Sequence, residues 1–476
     1  MHVSLRLLVI IGILLCLSWV DVLAEQPSVS DIIESRVPPP PATGTRQLDV
    51  GMEMAAPIGW PRVLKAKDGR MMMIGGGKIC YSNDRGMRWT TPEDLPVAIR
   101  YAIRLNSGDL GGPGPGDAFY HSSDDGKTWE KAGQIYTSNV PALPYNCTMM
   151  QSRIGRIFLP VRFISGGGHD GLYHRTMSWG TLDGKLTAVE GHAHYPEPDI
   201  GFVYYSDDAG KTWEKSEGGI MIWHKDGYGG MWPCDEPSIV EANKGDVVMY
   251  FRTTLGRIYT AQSGPSDFVG TNGQRYTHTP GQRFDFPEPT PLASSYSPCA
   301  IRRIERTGDL LIVWNQISGD ELRGGYRRGR LSAAISSDDG QSWNHFRCID
   351  TSVLPPLGRV EPDADPQMGR GFDYVGVLPE DYGGVYYPTL DVVDDTVFLF
   401  WYKTIVNPRE GDVMGRRMRV LPLSWFYEDE PPLATGPKLI LKVPANDSEG
   451  TWNTFEIPAD FYRDRFFVNL EDLAIY

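Results

Sequence analysis

One stretch of the sequence places a carboxylate and a guanidinium group at neighbouring strand ends. In CDEPSIVEANKGDVVMYFRTT (234–254), Glu236 begins a predicted strand and Arg252 ends the next one. A positioned carboxylate can accept a proton from a reacting group, and a guanidinium group binds an anion through charge-assisted hydrogen bonds. The stretch is therefore a candidate site for acid–base chemistry on an anionic ligand.

Two other segments supply further arginines. Arg328 precedes a Ser-rich turn in RRGRLSAAISSDDGQSW (327–343), and Arg62 lies in IGWPRVLKAKDGRMMMI (58–74). Three converging guanidinium groups would grip one carboxylate through partly bidentate hydrogen bonds, and they would repel one another without an anion. Arg62, Arg252 and Arg328 are candidates for such a cluster, and their convergence is what the family resemblance described below implies. Three neighbours are alternatives to Arg328: Arg323, Arg327 and Arg330.

A repeated turn indicates the scaffold that brings these segments together. The pattern Ser-x-Asp-x-Gly-x-x-Trp occurs four times, in YSNDRGMRW (81–89), HSSDDGKTW (121–129), YSDDAGKTW (205–213) and ISSDDGQSW (335–343). Asp accepts backbone hydrogen bonds in such a turn, Gly allows a positive φ, and Trp folds back as an apolar plug. Successive Asp residues are 40, 84 and 130 residues apart. These spacings are close to multiples of about 42, a period that suits the four-stranded blades of a propeller.

A second repeat gives the number of blades. A turn that ends in Gly or Asp leads into an apolar strand six times: 67–76, 106–110, 153–163, 243–254, 306–317 and 393–405. The chain also has 53 Gly and 37 Pro and no long helical periodicity. We therefore predict an all-β fold, a six-bladed β-propeller with Asp-box turns on the blade rims. QSGPSDF (262–268) is interpreted as a degraded turn in blade four.

With these motifs the chain resembles the sialidase family from Gly51 to about Glu430. The Glu236 and Arg252 segments match the family in order and spacing, and GGVYYPTLDVV (383–393) resembles its Tyr-Ser-x-Leu stretch, with Pro388 in place of Ser. The resemblance implies that Tyr387 is the nucleophile and that Glu236 takes its proton. Because sialic acid carries a carboxylate on its anomeric carbon, a neutral phenol avoids the charge repulsion that a carboxylate nucleophile would meet.

The family's acid/base Asp is missing from its usual loop, which reads GGGKIC (75–80) here. The leading replacement is Asp170, beside His169 in the Gly-rich segment SGGGHDGLYHR (165–175). Asp109 and Asp117 in the second blade are alternatives. Four aromatic residues near the expected channel could stack on sugar rings: Trp60, Tyr173, Trp232 and Trp314.

The ends of the chain have their own predicted roles. Residues 1–24 are typical of a signal peptide, because a basic start precedes a short apolar run and a small-residue cleavage site. Residues 25–50 are predicted to be a Pro-rich linker, 51–430 the propeller, and 431–476 a strand-rich segment that closes or caps it. We therefore expect a secreted or periplasmic protein without stable membrane insertion. The net charge of −14 argues against nucleic acid as a partner.

Together these features predict a secreted exo-glycosidase resembling exo-α-sialidase, which removes a terminal sialic acid or related acidic sugar from glycans. No cofactor is expected, and no cluster of residues at metal-ligand spacing is present in the sequence. One alternative is a non-catalytic propeller that binds an anionic glycan. A second is a polysaccharide lyase that acts on a uronate, and a third is a structural propeller that binds another protein.

Overall fold

The computed structural model describes residues 54–135, 143–144, 148–164, 178–182, 185–189, 199–223, 231–232, 234–253, 255–269, 273–319, 321, 326, 328–352, 354, 356–362, 383–405, 413–428, 439–444 and 452–457. The predicted signal peptide (1–24), the predicted linker (25–50) and Asp170 lie outside these residues. None of the helices in the described part is long and apolar enough to cross a membrane.

Six antiparallel sheets form the blades of a propeller, which confirms the predicted fold. Neighbouring inner strands contact one another around the central channel. From the channel outward, the strands are Arg62–Lys65, Met71–Gly75, Lys78–Ser82 and Glu93–Asp94 in blade 1; Ile103–Arg104, Leu110–Gly114, Ala118–Ser122 and Glu130–Gln134 in blade 2; Leu143–Pro144 with Met150–Gln151, then Ile157–Ile164, Asp199–Ser206 and Glu214–Lys215 in blade 3; Asp235–Glu241, Val247–Arg252, Arg257–Ser263 and Glu288–Ala293 in blade 4; Ala300–Arg303, Leu310–Trp314, Arg330–Ser336 and Asn344–Thr351 in blade 5; and Val385–Val393, Thr396–Ile405, Val413–Pro422 and Met54–Ala55 in blade 6.

Smaller elements decorate the ring. They are the paired strands Ser178–Leu182 and Lys185–Val189, Ile222–Trp223 and Met231–Trp232, Ser266–Val269 and Arg275–His278, and Leu439–Pro444 and Trp452–Ile457, with 3₁₀ helices at Pro115–Asp117 and Leu423–Phe426. The last pair of strands belongs to the segment predicted to close or cap the propeller. The strand that completes blade 6 is instead the N-terminal Met54–Ala55, which pairs with Arg417 and Met418. A capping role for 431–476 stays a prediction.

The six apolar repeats of the sequence all lead into the second strand of a blade, one repeat for each blade. These strands are buried on both faces, because each blade packs against two neighbours. Met71 and Met73 face blade 6, whereas Met72 and Ile74 face blade 2. This two-sided burial explains why the sequence reads as continuous apolar runs rather than as alternating apolar and polar residues.

The repeated turns connect the third and fourth strands of blades 1, 2, 3 and 5. In the first copy, the Ser82 hydroxyl bonds to Asp84 and accepts the Gly86 N–H at 2.8 Å, while the Trp89 indole donates to the Gly86 carbonyl at 2.9 Å. The same network recurs in the copies of blades 2 and 3. The copy in blade 5 keeps the two Ser336 bonds, while the buried Trp343 indole N–H has no hydrogen-bond partner among the described residues. The Ser–Asp–Gly core of each turn is therefore closed within the turn itself.

Blade 4 keeps the centre of this turn in a divided form. Ser263 accepts the Gly281 N–H at 2.8 Å, and Gly281 has a φ of 91°, as the repeated glycines do. Phe284 follows three residues later, at the Trp position, and packs into the apolar cluster between blades 3 and 4. The sequence interpreted as a degraded turn thus keeps the Ser–Gly hydrogen bond and an aromatic plug, and it is split by the inserted hairpin of Ser266–Val269 and Arg275–His278.

Candidate functional site

The inner strands of three blades begin with the same backbone distortion. Trp60, Glu236 and Tyr387 each precede a proline and have positive φ values of 49°, 44° and 53°. Positive φ is costly for side chains other than Gly, and a following proline normally favours an extended residue. In blades 4 and 6 the distortion is a β-bulge, because the ladder register shifts between Asp235 and Ser238 and between Tyr386 and Thr389. Bulges re-aim side chains, and strained residues cluster at functional sites.

These three positions lie on one face of the ring, where the inner strands begin; we call it the entry face. The turns between the first and second strands lie on the opposite face with the Asp-box turns. For example, the Asn243 N–H donates to Asp339 in the Asp-box of blade 5. We call that side the Asp-box face. The proposed catalytic positions and the repeated turns are therefore at opposite ends of the same strands.

Four buried charges form the centre of the entry face. Glu236 pairs with Nη1 of Arg252, and its neighbour Asp235 accepts a hydrogen bond of 2.6 Å from Nη1 of Arg162. The same Arg162 nitrogen lies 3.8 Å from Glu236 Oε1, and Arg252 Nε lies 3.7 Å from Asp235 Oδ2. The four side chains are at most 7% exposed. Two carboxylates thus hold two guanidinium groups in fixed positions at the channel.

Tyr296 completes the support of Arg252. Its ring centroid lies 3.6 Å from the guanidinium carbon, and its hydroxyl donates to Asp235 Oδ2 at 2.8 Å. Burial acts to lower the pKa of Arg252, but Glu236, Tyr296, Asp235 and Tyr387 outweigh burial, so the pKa is raised well above its ordinary value. Arg252 is therefore a permanent cation within electrostatic range of the Tyr387 phenol.

Tyr387 is enclosed by aromatic and cationic groups. The guanidinium carbon of Arg328 lies 4.6 Å from its ring centroid and 4.7 Å from that of Tyr386. The Trp60 ring meets it edge-on at 6.2 Å. The Arg328 carbonyl accepts the Val385 N–H at 2.8 Å, which ties the arginine to the inner strand of blade 6. A negative charge that develops on the phenol would be stabilised by this setting.

Arg62 has a different set of contacts. Its Nε donates to Asp391 Oδ1 at 2.7 Å, and its Nη1 donates to the Met149 carbonyl at 3.3 Å. Asp391 also accepts the Val63 N–H at 2.7 Å and a longer bond from Arg302 at 3.4 Å. Because Arg62 and Asp391 follow Trp60 and Tyr387 along their strands, this cluster lies deeper in the channel. It joins blades 1, 3, 5 and 6 below the entry face, and we call it the channel floor.

The structure thus brings together four of the predicted site residues, listed here: Tyr387, Glu236, Arg252 and Arg328. The described contacts of Arg62 lead to the channel floor instead. The physical reason is the position of Arg62 in its strand. When Pro61 is aligned with Pro237 and Pro388, Trp60 is equivalent to Glu236 and Tyr387, and Arg62 comes two residues later. Asp170 lies outside the described residues, and its role stays a prediction.

Arg162 is the main residue that the sequence analysis missed. It is the sixth residue of the second strand of blade 3, as Arg252 is of the second strand of blade 4. A charged residue near the end of an apolar run, in IFLPVRF as in VVMYFR, was the available signal. Asp235 and Tyr296 carry no comparable signal, because their roles arise from contacts between strands that are distant in sequence.

The other residues named as candidates from the sequence lie in different parts of the molecule. Arg330 is fully buried in an ion pair with Glu321 at 2.6 Å, and Trp314 is a core residue whose indole donates to the Ala293 carbonyl. Asp109 lies on the Asp-box face, whereas Asp117 lies on the entry face, paired with Arg100 at 3.0 Å. Four other candidates have side chains outside the described part: Arg323, Arg327, Tyr173 and Trp232. Within the described ranges, no group of three or more His, Cys, Asp or Glu side chains is placed to hold a metal ion.

Comparisons with known proteins agree with the fold. The family model of the BNR repeat-like domain matches residues 114–399. A protein of unknown function from Dyadobacter fermentans is 15% identical, with 78% of this chain and 97% of that one covered and a TM-score of 0.45. The Penicillium chrysogenum α-L-arabinanase complexed with arabinobiose is 12% identical, with coverage of 76% and 93% and a TM-score of 0.39.

The Trypanosoma rangeli sialidase in complex with sialic acid is also 12% identical, with coverage of 85% and 68% and a TM-score of 0.32. No curated protein matches the chain. At these identities and TM-scores the solved structures carry no argument about the substrate, which has to be argued from the side chains of the entry face.

Proposed function

The chain belongs to the BNR repeat-like domain family, and from that premise and the geometry of the entry face we propose that it is a retaining exo-glycosidase. Its proposed substrate is a glycan with a terminal sialic acid or a related acidic sugar. One observation carries the proposal: Tyr387 and Glu236 occupy equivalent strained positions on two inner strands, and both act electrostatically on Arg252.

The charges of the entry face suit one anionic group. Three guanidinium groups, those of Arg162, Arg252 and Arg328, lie around the channel on this face. We add Arg162 to the carboxylate-binding cluster, because it lies beside Arg252 around Asp235 and Glu236, whereas the described contacts of Arg62 are in the channel floor. An acidic sugar that enters the channel would place its carboxylate against these guanidinium groups.

Tyr387 and Glu236 then divide the chemical work. The Tyr387 oxygen attacks the anomeric carbon while its proton passes to Glu236, and the bond between that carbon and the glycosidic oxygen breaks. The leaving oxygen takes a proton from an acid, for which Asp170 remains our prediction. Water then attacks the anomeric carbon and gives a proton to the carboxylate of the same acid. The bond between that carbon and the Tyr387 oxygen breaks, the proton returns from Glu236 to the phenol, and the sugar leaves with retained configuration.

One observation favours a second candidate function. Glu236 is already paired with Arg252, so its carboxylate serves to hold the guanidinium group in place. A propeller that binds an acidic glycan without cleaving it would have the same arginines and would need no base. The two functions differ in whether product forms.

The experiment uses the purified protein with an aryl α-sialoside. Wild type is expected to release the aryl alcohol with retention, observed by NMR, and Tyr387→Phe is expected to lose about 10²-fold or more of the rate. Tyr427→Phe is the matched control, since its phenol donates to Asp309 on the Asp-box face and should not affect turnover.

Three outcomes would decide against the proposal. Retained binding of sialic acid without turnover would favour the glycan-binding function. Full activity of Tyr387→Phe would show that the nucleophile is another group. Formation of an unsaturated, ultraviolet-absorbing product from a uronate polymer would instead identify a lyase.

A further inference from the structure

A small cleft lies beside Tyr387 on the entry face, at the junction of blades 6 and 1. It is open to solvent, its walls include Trp60, Tyr402, Arg416 and Arg417, and its volume is only about 10 Å³. Typical ligand pockets measure roughly 300–1,000 Å³. The cleft therefore cannot enclose a sugar ring, and a ligand would contact its walls at the rim.

The backbone at Gly59 makes room for this cleft. A Cβ at Gly59 would lie 2.5 Å from the Tyr402 hydroxyl and 3.2 Å from Arg416 Cδ, so only glycine allows both side chains to approach. Trp60, the next residue, packs edge-on against Tyr402 at 5.4 Å and against Tyr387 at 6.2 Å. The cleft and the proposed nucleophile therefore share one wall, the Trp60 ring.

Two features of the walls point to an anionic ligand group. Trp60 is 44% exposed, an unusual state for an indole whose backbone is also strained. Arg416 is exposed, and among the described residues its side chain forms no ion pair. An open aromatic ring beside a guanidinium group without a carboxylate partner can hold a sugar on the ring and its acidic substituent on the arginine.

We propose that Trp60 and Arg416 form a subsite for the sugar that follows the cleaved one, and that this sugar carries a carboxylate or sulfate. The inference rests on the proposed glycosidase function and narrows its substrate class to glycans with two neighbouring acidic units. The cluster around Arg252 takes the first acidic group, and Arg416 takes the second.

The test compares two substrates that differ at the second sugar. In α2,8-linked disialic acid that sugar is acidic, and in sialyl-lactose it is neutral. Arg416→Gln is expected to lower kcat/KM for the disialic acid about tenfold and to leave sialyl-lactose within about twofold. Trp60→Ala is expected to lower both. Arg88→Gln on the Asp-box face is the matched control, because Arg88 is also highly exposed.

The outcomes separate the subsite from the activity itself. If wild type cleaves both substrates and Arg416→Gln changes neither, or both equally, the subsite is wrong and the glycosidase stands. If wild type cleaves neither, the proposed function fails, and the subsite fails with it. Raised salt should also reduce the wild-type preference for disialic acid, because an exposed ion pair is screened.

Discussion

The two faces of the propeller treat the ends of the same strands in different ways. On the Asp-box face, each of the four contiguous Asp-box turns forms its hydrogen bonds within nine residues. Asp84, for example, accepts the Arg88 N–H of its own turn. On the entry face, Asp235 is held by Arg162 and Tyr296, which are 73 and 61 residues away. Hydrogen bonds within a turn recur from blade to blade, whereas the contacts between residues that are distant in sequence do not recur. The repeated turns of the Asp-box face thus specify the fold, and the entry face, where the blades differ from one another, carries the candidate site.

Positive φ values show the same contrast. On the Asp-box face they belong to a recurring turn, with glycine at its centre and φ between 85° and 92°. In the inner strands at the entry face they belong to Trp60, Glu236 and Tyr387, each before a proline. A turn needs that conformation to reverse the chain, but an inner strand does not. The strain in the strands is therefore a mark of function, and the strain in the turns is a mark of architecture.

The largest expected effect separates two glutamates at opposite ends of one strand. Glu236→Gln is expected to lower turnover of an aryl α-sialoside by about 10²- to 10⁴-fold, because the proposed base is lost. Glu241→Gln is the matched control at the Asp-box end, where Glu241 binds the Arg153 N–H at 2.9 Å. Equal loss of activity in both variants would remove the functional distinction between the faces.

Asp235→Asn tests the buried charge network directly. It leaves Arg162 and Arg252 with less compensating charge, and breaking a buried pair costs about 3–5 kcal/mol. We expect a lower urea midpoint together with reduced affinity for sialic acid. The comparison is Asp339→Asn, which removes a more exposed partner of Arg303 on the Asp-box face. A smaller loss of stability in Asp235→Asn than in Asp339→Asn would contradict the network.

Two glycines of blade 1 sharpen the architectural side of the comparison. A Cβ at Gly86 would lie 2.3 Å from Phe398 Cε1, whereas at Gly69 nothing lies within 4 Å, although φ is 90° and 88° respectively. Gly69→Ala is expected to cost about 1–2 kcal/mol from strain alone. Gly86→Ala adds overpacking against blade 6, typically about 1–3 kcal/mol. The midpoint of thermal unfolding should therefore fall further in Gly86→Ala than in Gly69→Ala. Turnover per folded molecule should be unchanged in both variants.

The smallest expected effect is a pH dependence in one Asp-box. Hydrogen bonds from the Thr128 backbone, then from the Thr128 and Ser122 side chains, lower the pKa of Asp124 to about 2. A lowered pKa in the folded state stabilises the protein above the unfolded value of about 3.9 and loses that effect as pH falls toward 2. Asp124→Asn should therefore be less stable than wild type at neutral pH. The difference in urea midpoints should narrow between about pH 4 and pH 2; a constant difference would contradict the assignment.

Much of the fold was predictable because its signals are local. The Ser of each turn bonds to its Asp and Gly, so the spacing of these residues alone identifies the turn. The apolar second strands, such as Met71–Gly75, are equally visible, since burial on both faces leaves no polar positions. The divided turn of blade 4 was hidden because its Ser263 and Gly281 are separated by an inserted hairpin.

The site was predictable only in part. Glu236 and Arg252 belong to one hairpin, and the structure pairs them as their spacing indicated. The depth of Arg62 in the channel was not visible in the sequence, because it depends on where the recurring strained residue falls at the start of the inner strand. Arg62 lies two residues after the strained Trp60, and its side chain binds Asp391, which is 329 residues away in the sequence.

The sequence by itself determined the blade number, the turns, and the residue types available at each inner strand. Only the tertiary structure decided that Arg162 joins Arg252 around Asp235 and that Arg62 lies in the channel floor. The physical reason is that a turn satisfies its hydrogen bonds within itself, while a buried charge must find its partner across the ring. That partner is set by how the blades pack.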